Sequence, residues 1–261
     1  MSMYTARMAV QPSMSGPQAV PDAPGAPHVS VVVPVYNEQD NIEPLYREIV
    51  PVMESLGDPF ELVMVDDGST DDSRPRLRAL RAADARVRVV ALARNAGQTA
   101  AMAAGFGAAR GGIVVTLDAD LQNDPRDIPL LLQSLEHHDA AVGWRGDRHD
   151  TWVRRVSSRI ANSVRNALSD DDIIDTGCSL KAYRRAALAR VSLYNGMHRF
   201  LPTLLRMEGF DVCQVKVGHR PRLSGRSKYN IRNRLLPSFL DLLAVRWMKR
   251  RRLTYQASEE P

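Results

Sequence analysis

The segment VSVVVPVY, Val29 to Tyr36, is a near-continuous run of β-branched residues. A half-exposed strand alternates apolar and polar residues. A run without that alternation belongs to a strand covered on both faces, as in a parallel sheet flanked by helices. The chain then repeats the arrangement. A helix is expected from about Glu38 to Leu56, with Ile42, Leu45, Ile49, Val52 and Met53 at helical spacing. FELVMVD, VRVVALA, GIVVTLD and DAAVGW read as further strands, separated by the helical stretches DDSRPRLRALRAA, QTAAMAAGFGAARG and DIPLLLQSLEHH. Strands alternating with short helices predict βαβ units and a mostly parallel sheet. After Trp152 the pattern loosens into a helix, then CSLKAYR, a helix near MHRFLPTLLRM, and the strand FDVCQVKVGH.

Composition sets the outer limits. With 261 residues, 44% of them hydrophobic and 25% charged, the chain can build one large α/β domain. Two cysteines make neither a disulfide framework nor a four-cysteine zinc site, and they fit a reducing cytoplasm. No apolar run approaches the roughly 20 residues of a membrane span. Residues 1–28 are rich in Pro, Ala, Ser and Gly, lack the apolar core of a signal peptide, and read as a disordered leader. The main domain is expected over 29–229, followed by a basic segment over 230–261. Net charge is +5, yet between Lys216 and Arg252 twelve Lys and Arg face a single acid, Asp241. Such a segment calls for a polyanionic partner, although a solvated charged tail has the same composition.

In open parallel sheets ligands bind beyond the carboxyl ends of the strands. Three strand ends here carry polar, mostly acidic loops: PVYNEQDN, VDDGSTDD and LDADLQND. Turn chemistry explains an isolated Asp-Gly, but not acids at two strand ends beside a basic C-terminal segment. Asp118 and Asp120 flank the small Ala119 and can converge on one point. Oxygen ligands of this kind suit Mg²⁺ or Mn²⁺, which complete their shells with water and substrate phosphates. A lone D-x-D is common, so its position at a strand end carries the weight. Asp124 precedes Pro125 and a helix and reads as an N-cap.

VVVPVYNEQDNI, LVMVDDGSTDDS, RNAGQTAAMAAG and LDADLQNDP, in this order and spacing, resemble family 2 glycosyltransferases with a GT-A fold. DADLQ, DTGCSLKAYRR, HRFLPTLL and GRSKYN are similar to the polyprenyl-phosphate glycosyltransferases, a group that includes dolichyl-phosphate mannose synthase. The resemblance covers about residues 29–250. It implies transfer of a sugar from a UDP- or GDP-linked donor to a polyprenyl phosphate, with inversion at the anomeric carbon. It further implies that Pro34, Tyr36 and Glu38 line the base and ribose pocket, that Asp66 or Asp67 meets the base edge, and that Gly97 and Gln98 contact the nucleotide. Asp118, Asp120 and Gln122 would hold the metal and, through it, the diphosphate. Asp175 falls where a catalytic base is usually considered. Arg145 and Arg148 are placed for the acceptor phosphate, as His198 and Arg199 are for the acceptor site. Arg220, Arg222, Arg226, Ser227 and Lys228 read as a lid over the diphosphate.

A phosphate monoester has its second pKa near 6, so the acceptor is mostly dianionic at neutral pH. Asp175 is therefore expected to orient or stabilise charge more than to remove a proton. GFGAARG imitates a dinucleotide fingerprint but lacks its last glycine and reads as a helix end. GRSK lacks the Gly-Lys-Ser/Thr order of a phosphate loop. In RLLPSFLDLLAVRWMKRRRL, the residues Leu236, Phe239, Leu240, Leu243 and Trp247 share one helical face, followed by Lys249 to Arg252. Such a helix lies on the cytoplasmic face of an anionic membrane, or packs on its own domain or on a second copy. A separate membrane protein as partner is left open. Transfer to a soluble or polysaccharide acceptor is the alternative activity within this fold. Nucleic acid fits less well, because an acidic site facing a basic lid matches nucleotide phosphates with a metal.

Overall fold

The long β-branched runs become the middle of one sheet. The computed structural model describes residues 27–146, 172–220 and 232–253. Residues 1–26 of the leader expected over 1–28, the helix expected after Trp152, and Arg148, Arg222, Arg226, Ser227 and Lys228 lie outside them, whereas His28 of that leader is hydrogen-bonded to Pro59 and Ile113 beside the sheet. The strands are β1 (Val29–Val35), β2 (Phe60–Asp66), β3 (Val87–Ala91), β4 (Ile113–Thr116), β5 (Ala140–Arg145), β6 (Lys181–Arg184) and β7 (Val212–Val217). Among the described residues they form a single sheet in the order β3-β2-β1-β4-β6-β5-β7. All neighbours are parallel except β6, which runs antiparallel between β4 and β5. This is the mostly parallel α/β fold the alternation predicts.

Both faces are covered, and the strand sequences show why. In β1, Val31, Val33 and Val35 enter one core while Val32 enters the other. In β2, Leu62 and Met64 divide from Val63 and Val65 in the same way. The first core lies under α1 (Ile42–Ser55) and α2 (Ser73–Ala83). The second lies under α3 (Gln98–Ala108). A Cβ at Gly105 of α3 would stand 2.3 Å from Val32 Cγ1, so the stretch read as a helix end is where α3 presses closest onto the sheet.

The helices α4 (Ile128–Ser134), α5 (Arg185–Leu188) and α6 (Leu201–Met207) follow, and the chain ends in α7 (Arg232–Arg251). Leu242 and Val245 of α7 pack against Phe200 and Leu204. On its other side Phe239, Leu240, Leu243 and Trp247 are exposed, Trp247 by 64%. Packing on the domain and an apolar outer face therefore coexist on one helix. No helix among the described residues is long and apolar enough to cross a membrane.

Candidate active site

The polar loops that follow β1, β2 and β4 meet on one edge of the sheet, at the N-terminus of α3. Two of them are laced together. The N–H of Asn37 donates to Ser69 Oγ at 3.0 Å, that of Glu38 to Ser73 Oγ at 2.9 Å, and that of Thr70 to Asn37 Oδ1 at 2.7 Å. Asn37 reaches this position with φ of 51°, in the left-handed region that asparagine tolerates. Gly68, φ 69°, passes so near the 94–95 backbone that a Cβ would lie 2.4 Å from Arg94 C.

A cleft of about 300 Å³ opens above these loops. Pro34, Tyr36, Glu38, Asp67, Gly97, Gln98, Asp118 and Asp120 line it, together with Val35, Asn95, Ala101 and Ala119. Eight residues chosen from sequence therefore converge. Asn95 and Ala101 were missed, although both lie in the RNAGQTAAMAAG motif. Asp67 is buried and accepts from the Ala96 N–H (2.7 Å), the Gly97 N–H (3.0 Å) and Asn95 Nδ2 (3.1 Å). Three donors on one carboxylate fix the loop that starts α3. Asp66 is not part of the lining. It accepts from the Ser69 N–H and from Arg74 Nε at 2.5 Å, closing the turn from beneath.

Asp118 accepts from Gln98 Nε2 at 2.8 Å. Burial first, then the neighbouring Asp120, pushes its carboxyl up to about 6. Two carboxylates at one strand end beside a cleft are the donor chemistry of a hard divalent ion. No group of three or more His, Cys, Asp or Glu able to hold a metal occurs among the described residues. Two carboxylates plus substrate phosphate and water match Mg²⁺ or Mn²⁺. Leu121 follows with φ of 61°, rare for a branched residue, and its side chain is buried in the first core. This turn carries Gln122 out of the cleft lining. Its N–H donates to Asp120 Oδ1 at 3.2 Å, and its carbonyl accepts the Arg220 N–H at 2.9 Å. Asp124 does cap, accepting the Arg126 N–H at 3.0 Å ahead of the 3-10 turn Pro125–Asp127.

The scan against family models matches residues 30–192 to a model described as glycosyl transferase family 2. The chain belongs to glycosyl transferase family 2. It is 40% identical over 228 residues to dodecaprenyl-phosphate galacturonate synthase of Rhizobium johnstonii, covering 85% of this chain and 67% of that protein. It is also 40% identical over 205 residues to undecaprenyl-phosphate 4-deoxy-4-formamido-L-arabinose transferase of Edwardsiella ictaluri, covering 78% and 63%. The chain thus spans about two thirds of the length of the relatives it matches. Among solved structures, glucosyl-3-phosphoglycerate synthase of Mycobacterium tuberculosis, in complex with Mn²⁺, UDP and phosphoglyceric acid, superposes with a TM-score of 0.65 at 24% identity. The match covers 85% of this chain and 78% of that one. The expected GT-A architecture is therefore the fold found.

In this family 2 glycosyltransferase Asp175 is engaged on both oxygens. Arg145 Nε donates to Oδ2 at 2.6 Å and Arg145 Nη2 to Oδ1 at 2.9 Å, and the Gly177 N–H donates to Oδ1 at 3.1 Å. His198 Nδ1 lies 2.6 Å from Thr99 Oγ1, which joins the 3-10 turn Met197–Phe200 to the first turn of α3, while Arg199 lies within electrostatic reach of Asp241 on α7; neither His198 nor Arg199 is part of the cleft lining. Arg220, read from sequence as part of the lid, instead contacts Glu48 at 2.8 Å and Asp124 at 2.6 Å. Hydrogen bonding by Arg126, with help from Arg220, holds the Asp124 carboxyl well below its usual value. The third acid of the strand end is thereby paired with arginines of the protein itself.

Proposed function

We propose that this glycosyltransferase moves a sugar, with inversion, from a UDP- or GDP-linked donor to a polyprenyl phosphate. The observation that carries this reading is the acidic pair Asp118 and Asp120 at the end of β4, facing a nucleotide-sized cleft at the N-terminus of α3. Polyprenyl phosphate as acceptor is supported by the names of the relatives at 40% identity.

The nucleoside half of the donor would lie over Pro34, Tyr36 and Asp67, with Gly97 and Gln98 toward the phosphates. Asp118 and Asp120 would hold Mg²⁺ or Mn²⁺. When bound, that ion supplies positive charge to the leaving diphosphate. Gln98, fixed on Asp118, keeps one metal-binding carboxylate oriented. Asp175 has its oxygens committed to Arg145 and Gly177, so its role is to position the guanidinium near the acceptor. The acceptor phosphate is its own nucleophile, since its second pKa lies near 6. His198 and Arg199 would border the acceptor side.

The outer face of α7, with Phe239, Leu240, Leu243 and Trp247 exposed and Lys249 to Arg252 following, would rest on an anionic leaflet. That attachment fits the cytoplasmic face, where nucleotide sugars are made available to lipid phosphates. The test is a donor panel of UDP- and GDP-sugars with the full chain, Mn²⁺ or Mg²⁺ and short polyprenyl phosphates. Turnover identifies donor and metal together. Activity on a soluble acceptor with none on any lipid phosphate overturns the reading.

A further inference from the structure

Lys181 opens β6, the strand that runs antiparallel to β4, so it stands at the carboxyl edge of the parallel strands. It pairs with Thr116, two residues before Asp118, and with Val142 of β5. Its neighbours Leu180 and Ala182 enter the first core, and Tyr183 enters the second. Alternation along the strand therefore turns Lys181 to the α3 side, the side of Gln98 and the cleft. The residue is only 3% exposed. Its ammonium makes no hydrogen bond or ion pair with the described residues.

A lysine side chain this deeply buried is costly to keep charged. This one is also placed against metal binding, because it lies within electrostatic reach of Asp118 and Asp175, with Arg145 nearby. Asp118 and Asp175 already stand within its reach, and an anion that arrives with the substrates would complete its partners. The sheet order says which one. The nucleotide cleft is built on β2, β1 and β4, whereas Lys181 sits beyond β4, between Asp118 and the Arg145–Asp175 pair on the β5 side. A compact, strongly charged ammonium suits a phosphate there.

We propose that Lys181 is a binding residue for the acceptor phosphate, its ammonium meeting the anionic oxygens beside Arg145. The inference rests on the acceptor reading above, but it can fail separately. The test compares wild type, Lys181→Met and Lys181→Gln by calorimetry, using three probes: Mn²⁺ alone, inorganic phosphate, and a short isoprenyl phosphate with Mn²⁺ present. Thermal melts of the same samples identify a variant that does not fold, and the other variant then carries the comparison. The expected result is at least a tenfold loss of affinity for both phosphates in the folded variant, with Mn²⁺ bound as well as or better than by wild type. Unchanged phosphate affinity overturns the proposal and leaves the acceptor reading standing. Loss of inorganic phosphate binding by the variants, in a wild type that ignores isoprenyl phosphate, supports Lys181 and overturns the lipid acceptor. A wild type that binds neither phosphate overturns the proposal.

Discussion

The proposed chemistry turns on Asp118, and its environment gives a signed prediction. Its carboxyl is raised in the folded state, by burial and then by Asp120. Its favourable contribution to stability is therefore full below pH about 4, the ordinary aspartate value. It is lost as pH climbs through about 6, where the folded protein must carry the charge. A divalent ion bound at Asp118 would reverse the loss. Mn²⁺ should raise the melting temperature by several degrees at pH 7.5 and by little at pH 5. Asp118→Asn should melt higher than wild type at pH 7.5 without metal and gain nothing from Mn²⁺. Scanning calorimetry at the two pH values checks both. Asp175→Asn keeps the shape of the residue but weakens its hold on Arg145. We expect turnover to fall by about ten- to a hundredfold, with a weaker acceptor interaction and an unshifted pH profile. Abolished turnover with donor and acceptor affinity intact would make Asp175 a base after all.

Elements place these residues, and two of them separate stability from function. In α7, Val245 is buried against the domain while Leu243 and Trp247 face outward. Val245→Ser should destabilise the fold by about 1–3 kcal/mol. Leu243→Ser with Trp247→Ser should leave the melting temperature unchanged and weaken salt-sensitive binding to anionic liposomes, read by co-sedimentation. Gly68 is the second case. A methyl there meets backbone at 2.4 Å with φ at 69°, so Gly68→Ala must shift the Arg94–Asn95 segment that flanks the cleft. Loss of nucleotide affinity beyond about tenfold, alongside a lowered melting temperature, is the expected result. The strands and helices carrying these residues were legible because period-2 and period-3.6 patterns set the burial of β1, β2 and α1 directly. The antiparallel direction of β6 was not legible, since KAYR reads alike in either direction. The left-handed turn at Leu121 was hidden too, because nothing in leucine announces a positive φ.

At the scale of the whole molecule, topology does what no local motif can. It brings the ends of β1, β2 and β4 to one cleft, and it sets Lys181 and the Arg145–Asp175 pair across β4 from that cleft. The sequence motifs named eight of the cleft residues because strand ends in a parallel sheet share an edge. They missed Asn95, which lines the cleft, and the proposed role of Lys181, both of which depend on neighbours distant in sequence. They also cast Arg220 as a substrate cation, although its side chain reaches Glu48 on α1 and the capping Asp124. A pairing made across 172 positions has no local signature. The most direct test of the account is transfer by the full chain on anionic vesicles containing a short polyprenyl phosphate, with Mn²⁺ and a panel of UDP- and GDP-sugars. The account predicts a polyprenyl-phosphate sugar and free nucleoside diphosphate, with at least a hundredfold loss in Asp118→Asn and Asp120→Asn. Transfer only to soluble acceptors, or undiminished transfer by those two variants, would contradict it.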